Sequence, residues 1–190
     1  MKDNIKVEIN YSLRCHVLPL VHRPIVTLGV FDPVHVLSLD PIEICAAKIA
    51  ALLTRAAARD LYDVYNMIVH SLFNEKQTEM LRKCVVFYSA VSAEGVPEEM
   101  DFSKMDALTE REIRMRLVPM LSRKDTFKLS TARDIVKNYL TELLTLSDNE
   151  KQFLDSFRKR DYRPDLLFAG NELERIRDHP MVTWKMRHHD

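Results

Sequence analysis

Residues 41–65, PIEICAAKIAALLTRAAARDLYDVY, decide the fold of this chain. Alanine, the strongest helix former, is the commonest residue of the segment, so we predict helical structure throughout it. At about 100° per residue its apolar side chains gather on one side, which we expect to face a core. This predicted core face comprises Ile42, Ala46, Ile49, Ala50, Leu53, Ala57, Leu61, Val64 and, just beyond the segment, Ile68.

The opposite side of the same helical segment carries positive charge. Lys48, Arg55 and Arg59 share it, although like charges four residues apart repel by a few tenths of a kcal/mol. A cationic stripe of this kind suits a bound anion. With Asp63 near it, one interpretation is convergence on a phosphorylated ligand and its metal ion, in a cavity shared with a β-layer. The alternative is a solvated helix face in which Arg59 pairs with Asp63 at i,i+4.

Asp60 falls toward the apolar side of an unbroken helix, where an unpaired charge is costly. We therefore predict that the helix breaks near Ala58 and that Asp60 caps a second helix by accepting backbone N–H bonds. On this pattern a structural and a catalytic role for Asp60 both stay open.

The composition indicates an α+β protein in which helix dominates. The 190 residues are 46% hydrophobic and 29% charged, enough for a real core, and only three glycines are present. Lysine plus arginine equals aspartate plus glutamate at 28 each, so no global field recruits nucleic acid or an anionic membrane. Any nucleic-acid contact is expected to be local.

The cysteines and the apolar runs indicate a cytoplasmic protein. Cys15, Cys45 and Cys84 lack the paired spacing of a zinc site or a disulfide framework, which favours a reducing compartment. No apolar run approaches the roughly 20 residues that span a bilayer, so we expect no membrane association.

Apolar and polar residues alternate from 5 to 11, which predicts a strand with Glu8 on its polar face. Further extended segments at 15–20, 25–30 and 34–39 are expected to complete a sheet of three or four strands. Later patterns predict helices at about 74–93, 109–121, 130–146 and 147–160. Ser147 and Glu150 form a capping-box signature, and Asn171 is the candidate cap of a last helix.

The central motif resembles the third and fourth motifs of the AbiEii/AbiGii toxin family. The motif consists of Glu43, the segment KIAALL that starts at Lys48, then Arg55, and finally the segment RDLYDV that starts at Arg59. The family strand that carries an acidic residue is similar to residues 5–9, and the family tail is similar to residues 162–168 and 179–184. The resemblance covers nearly the whole chain.

This resemblance implies a nucleotidyltransferase-like toxin of an abortive-infection toxin–antitoxin system, using NTP and Mg²⁺ and paired with an antitoxin. Some members modify the acceptor end of tRNA. The chain would then divide into a partial nucleotidyltransferase core at 1–73, with a partial sheet, and a helical C-terminal bundle at 74–190.

The resemblance also implies roles for individual residues. Lys48 would contact the triphosphate, while Arg55 and Arg59 would flank the phosphates. Asp63, and less directly Asp60, would belong to the active site. Glu8 would be the acidic residue on the sheet and the candidate metal ligand, with a solvent-facing strand residue as its alternative. Carboxylates that hold Mg²⁺ and cations that meet phosphate oxygens suit nucleotidyl transfer.

One family feature is missing from the sequence. Before Lys48 the aspartates are Asp3, Asp32 and Asp40, and none belongs to the Asp-x-Asp pair with which the family holds metal. We therefore expect no catalysis by these 190 residues alone. Three explanations stay open: the natural product is longer, the chain is a degenerate copy, or a separate N-terminal fragment supplies the pair. The competing hypotheses are a non-catalytic helical module that contacts antitoxin or RNA, and a structural protein whose charged stripe forms surface salt bridges.

Overall fold

A computed structural model describes residues 9, 15–25, 29, 32, 34–92, 101–122 and 125–187. A small antiparallel sheet precedes a long run of helices, so the predicted α+β class is confirmed. Glu8 and the rest of the predicted strand at 5–11, except Ile9, lie outside the described residues. The division of the chain at residue 73 stays a prediction.

Two strands form the sheet within the described residues. Strand β1, Val21–Pro24, pairs with β2, His35–Ser38, in a register that places Val21 opposite Ser38. The extended segment predicted at 34–39 is thus a strand, but the one predicted at 15–20 is not. The backbone N–H groups of Val17 and Leu18 donate to the Glu43 carboxylate, at 2.7 and 3.1 Å, so they are not available to a strand partner.

The central motif forms two helices, as predicted. Helix α1 spans Pro41–Thr54. Asp40 caps its N-terminus, because its carboxylate accepts a hydrogen bond from the N–H of Ile42 at 2.8 Å. Helix α2 spans Ala58–Val69. Between them Ala56 adopts φ +49°, a left-handed conformation that ends α1 and redirects the chain.

The predicted core face of this pair is largely confirmed. Its members Leu53, Ala57 and Ile68 are only partly buried, whereas Leu52, which the projection left out, is fully buried.

Helix α3, Glu75–Val91, is the centre of the core. Asn74 and Gln77 cap its first turn reciprocally, and every residue from Cys84 to Val91 is buried. Helix α1 packs along α3. Because both helices bury apolar faces on each other, the core runs continuously from the motif segment into the helical part of the chain.

The remaining helices complete the core. These are α4 (Ser103–Asp106), α5 (Glu110–Glu112), α6 (Leu129–Leu143), α7 (Asp148–Arg158), α8 (Gly170–Ile176) and α9 (Pro180–Arg187). A π-helical turn at Ile113–Leu117 and 3₁₀ turns at Val118–Met120 and Pro164–Leu166 join them. Helix α6 packs on α2, and α7 packs on α3.

Two helix predictions in this region need correction and one is confirmed. The helix predicted at 109–121 changes from α to π and then to 3₁₀, where Pro119 has no N–H to donate. Asn171 is not a cap but the second residue of α8, since the chain turns at Gly170 with φ +56°. Ser147 and Glu150 do form the predicted capping box of α7.

Among the residues that the structure describes, no helix combines the length and the apolarity needed to cross a membrane.

Candidate functional site

A pocket of about 590 Å³ lies where α1 and α2 meet the end of the 3₁₀ turn at Val118–Met120. Its lining residues come from the two motif helices, from the turn between them and from the π and 3₁₀ turns. They are Lys48, Arg55, Ala57, Arg59, Asp60, Tyr62, Asp63, Leu117, Met120 and Leu121. The five charged members are called the charged wall below, and Leu117, Met120 and Leu121 the apolar wall.

The first ion pair of the charged wall joins the two motif helices. Lys48 Nζ on α1 lies 2.8 Å from Asp63 Oδ2 on α2, and the two side chains are 47% and 39% exposed. A pair in such contact with water contributes under about 1 kcal/mol, so an incoming ligand can replace either partner at small cost.

The second ion pair is built differently. Arg55 Nε and one terminal nitrogen each lie 2.9 Å from an oxygen of Asp60, which is only 2% exposed. The same carboxylate accepts the N–H of Ala57 at 3.2 Å, the reciprocal half of a capping box at the start of α2. The arrangement therefore favours the structural role left open for Asp60.

Arg59 is an exposed cation of the charged wall, as are Lys48 and Arg55. Within the described part of the chain it makes neither a hydrogen bond nor an ion pair, because Asp63 is engaged by Lys48 instead. The alternative in which Arg59 pairs with Asp63 at i,i+4 is thus wrong for the described residues. An arginine that lines a pocket without a protein anion is available to an anionic ligand.

The apolar wall was not predicted from the sequence. Leu117 is 1% exposed, whereas Met120 is 62% exposed although it lines the pocket. The spacing i, i+3, i+4 of the three residues was a usable signal of a shared side, but nothing local connects them with the motif some 50 residues earlier. Sequence reasoning gave the cavity a β-layer instead. None of the described strand residues lines it, and the strand predicted at 5–11 lies, except for Ile9, outside the described residues.

Tyr62 adds an aromatic ring to the lining. Phe127 holds this ring from behind by an edge-on contact, with the ring centroids 5.7 Å apart. Phe127 contacts Tyr65 of the same helix in the same manner, at 5.8 Å. Phe127 thus packs on two rings of α2, one of which is Tyr62, and each such aromatic pair adds about 1 kcal/mol beyond the area it buries.

A thiol lies one turn from Lys48 but is not suited to nucleophilic chemistry. Burial raises the pKa of Cys45, and the charge of Asp63 raises it further, while Lys48 acts in the opposite direction. The protonated thiol is therefore favoured over the thiolate that would react.

The charged wall does not form a magnesium site. The oxygens of Asp60 accept hydrogen bonds from Arg55 and from the N–H of Ala57, and Asp63 forms an ion pair with Lys48. Across the described ranges no three His, Cys, Asp or Glu side chains are placed to share a metal ion. The residues present here thus do not fit a bound Mg²⁺, which prefers several oxygen ligands in octahedral geometry.

A model of the family of AbiEii nucleotidyl transferase toxins, which act in type IV toxin–antitoxin systems, matches residues 2–134. This range includes both walls of the pocket. No curated protein and no solved structure matched the chain. The chain therefore belongs to the AbiEii family, whose members are nucleotidyltransferase-like toxins. Membership confirms the resemblance read from the central motif and suggests a nucleotide substrate and an antitoxin partner.

Proposed function

We propose that this chain is the nucleotide-binding part of a nucleotidyltransferase-like toxin that transfers a nucleotide from NTP to a tRNA-like RNA acceptor. The observation that supports the proposal is the convergence of Lys48, Arg55 and Arg59 on one pocket, with Arg59 lacking an anionic partner among the described residues. Family membership supports it independently.

In the proposed complex Arg59 donates to oxygens of the triphosphate, and Lys48 exchanges its contact with Asp63 for a second phosphate contact. Half-exposure of the Lys48–Asp63 pair supports this exchange, because water already screens the attraction that must be given up. Arg55 has a supporting role, since its guanidinium also holds Asp60 at the start of α2.

Transfer then proceeds by attack of an RNA hydroxyl oxygen on the α-phosphorus. A new P–O bond forms, the bond from the α-phosphorus to the bridging oxygen breaks, and pyrophosphate leaves. We propose that Asp63, released by Lys48, accepts the hydroxyl proton. Positive charge from Arg59 and Lys48 stabilises the phosphate oxygens.

We further propose that transfer requires an N-terminal fragment, separate or part of a longer protein, that carries the Asp-x-Asp pair, since the sequence before Lys48 does not contain one. The charged wall would supply phosphate binding, and the fragment would supply carboxylates. Magnesium use stays a prediction that depends on that fragment, as does the metal-ligand role predicted for Glu8.

Titration calorimetry with millimolar ATP, GTP, CTP and UTP tests the binding step. Arg59→Ala should weaken binding of the best nucleotide about tenfold, because one charge-assisted contact is lost. Arg111→Ala is the matched control, since Arg111 is also exposed and does not line the pocket. Equal affinity for wild type and Arg59→Ala, or no nucleotide binding by wild type, would reject the proposed site.

A further inference from the structure

The two walls of the pocket have opposite chemistry. One wall presents three cations, two of which pair with aspartates of the same wall. The other presents the side chains of Leu117, Met120 and Leu121. A bare phosphate or pyrophosphate has no apolar group that could pack against an aliphatic surface. An amphiphilic anion, charged at one end and apolar at the other, matches both walls at once.

Exposure within the apolar wall points to a missing contact. Met120 is 62% exposed while it lines a concave surface, so a ligand that covers it gains the free energy of removing apolar area from water. Its neighbour Leu117 is fixed, with 1% of its surface exposed. The wall thus combines a rigid floor with an unbranched thioether, which adapts to flat and irregular surfaces.

The pocket volume is suited to the same class of ligand. About 590 Å³ falls within the range of roughly 300–1,000 Å³ that is typical of small-molecule sites. Tyr62, which Phe127 holds in place, lines the same pocket and adds a ring on which a planar group can pack.

We infer that the apolar wall is the nucleobase subsite of the pocket, so that an NTP lies with its phosphates on the charged wall and its base against Met120, Leu121 and Tyr62. This inference rests on the proposed nucleotide-binding function and adds the residues that contact the base. Aliphatic side chains recognise the base by contact area, because they offer no hydrogen-bonding groups to its edges.

Two probes separate the two halves of the site. ATP carries both phosphates and base, and inorganic tripolyphosphate carries phosphates only. Met120→Ala should weaken ATP binding about fivefold, through the loss of buried apolar area, and should leave tripolyphosphate binding unchanged. Arg59→Ala should weaken both probes, because both use the charged wall.

Met115→Ala is the matched control. Met115 lies five residues earlier, is 69% exposed and does not line the pocket, so its removal should change neither affinity. Thermal unfolding of both variants should match wild type, since neither side chain is buried. A second variant of the wall, Leu121→Ala, should reproduce the selective loss of ATP affinity.

The outcomes distinguish the inference from the function on which it rests. Binding of both probes to wild type, with equal ATP affinity in wild type, Met120→Ala and Leu121→Ala, would overturn the base subsite and leave the phosphate site standing. Failure of both probes to bind wild type would overturn the proposed function and the subsite together. Selective loss of ATP affinity in the wall variants supports both.

Discussion

The first turn and the middle of helix α1 carry charge in opposite ways. Near its start, Glu43 is 1% exposed and accepts hydrogen bonds from the N–H groups of Val17 and Leu18 and from the Tyr88 hydroxyl. Further along, Lys48 is half-exposed and makes one ion pair with Asp63. The buried Glu43 carboxylate, which accepts three hydrogen bonds, stabilises the fold. The half-exposed pair of Lys48 and Asp63 can instead be exchanged for a ligand.

Physical cost explains the contrast. A carboxylate removed from water must recover its hydration from protein donors, and those donors are then committed to it. The engagement at Glu43 extends to Tyr88, whose pKa rises first because of burial and then because of the nearby Glu43. Arg175 strengthens the same junction by donating to the carbonyl of Val17 at 3.0 Å.

The largest effect is expected from removing the buried carboxylate of Glu43. Glu43→Ala leaves the two backbone N–H groups and the Tyr88 hydroxyl buried without an acceptor, so the free energy of unfolding should fall by about 4 kcal/mol. Urea unfolding followed by circular dichroism measures this loss. Tyr88→Phe removes one donor and should cost less, about 1 kcal/mol.

Glu142→Ala is the matched control for this comparison, because Glu142 is an exposed glutamate on α6. Its stability should stay within about 0.5 kcal/mol of wild type. If Glu43→Ala were as mild as this control, the hydrogen bonds of Glu43 would not be the structural junction described here.

The same comparison shows which parts of the site could be predicted from sequence. The break between α1 and α2 and the capping role of Asp60 depend on residues three to five positions apart, and local patterns contain that information. Convergence of the cations on one pocket was expected from the same helical spacing, and family membership was found in the motif residues. Their individual roles stay predictions.

Contacts between residues distant in the sequence could not be predicted from local patterns. The partners of Glu43 lie 25, 26 and 45 residues away, and the projection left Glu43 unassigned. The apolar wall is likewise distant in sequence, and its π and 3₁₀ turns have no clear signature in a single sequence. Tertiary packing, not propensity, places these groups.

A second buried group, which does not line the pocket, is expected to make stability depend on pH. His179 is fully buried, its ring packs edge-on against Phe87 with centroids 5.3 Å apart, and neither ring nitrogen has a hydrogen-bond partner in the described part of the chain. Burial lowers the pKa of His179 from 6.5 to about 4. The unfolded chain therefore takes up a proton as pH falls through 6.5, while the folded chain does so only near 4.

The stabilisation linked to His179 is complete above pH 6.5 and is lost as pH falls toward 4. The loss amounts to about 3 kcal/mol in total. His179→Phe keeps an aromatic ring beside Phe87 and removes the titration. The difference in unfolding free energy between this variant and wild type should thus grow in favour of the variant between pH 6.5 and 4.

His70→Gln is the control for the histidine prediction, since His70 is exposed at the end of α2. Its stability should follow the wild-type pH profile. Parallel profiles for wild type and His179→Phe over this pH range would show that the ring at 179 is not held neutral by burial.

The smallest effects are expected at the two aspartates of the charged wall, and they sharpen the comparison within a single helix. Asp60→Asn should lower the free energy of unfolding by about 2 kcal/mol, because the buried carboxylate both caps α2 and holds Arg55 in two hydrogen bonds. Asp63→Asn removes only a half-exposed pair and should cost under about 1 kcal/mol. The two isosteric changes are each other's control in the same urea titration. A larger loss in Asp63→Asn than in Asp60→Asn would reverse the assignment of Asp60 to structure and Asp63 to the exchangeable surface of the pocket.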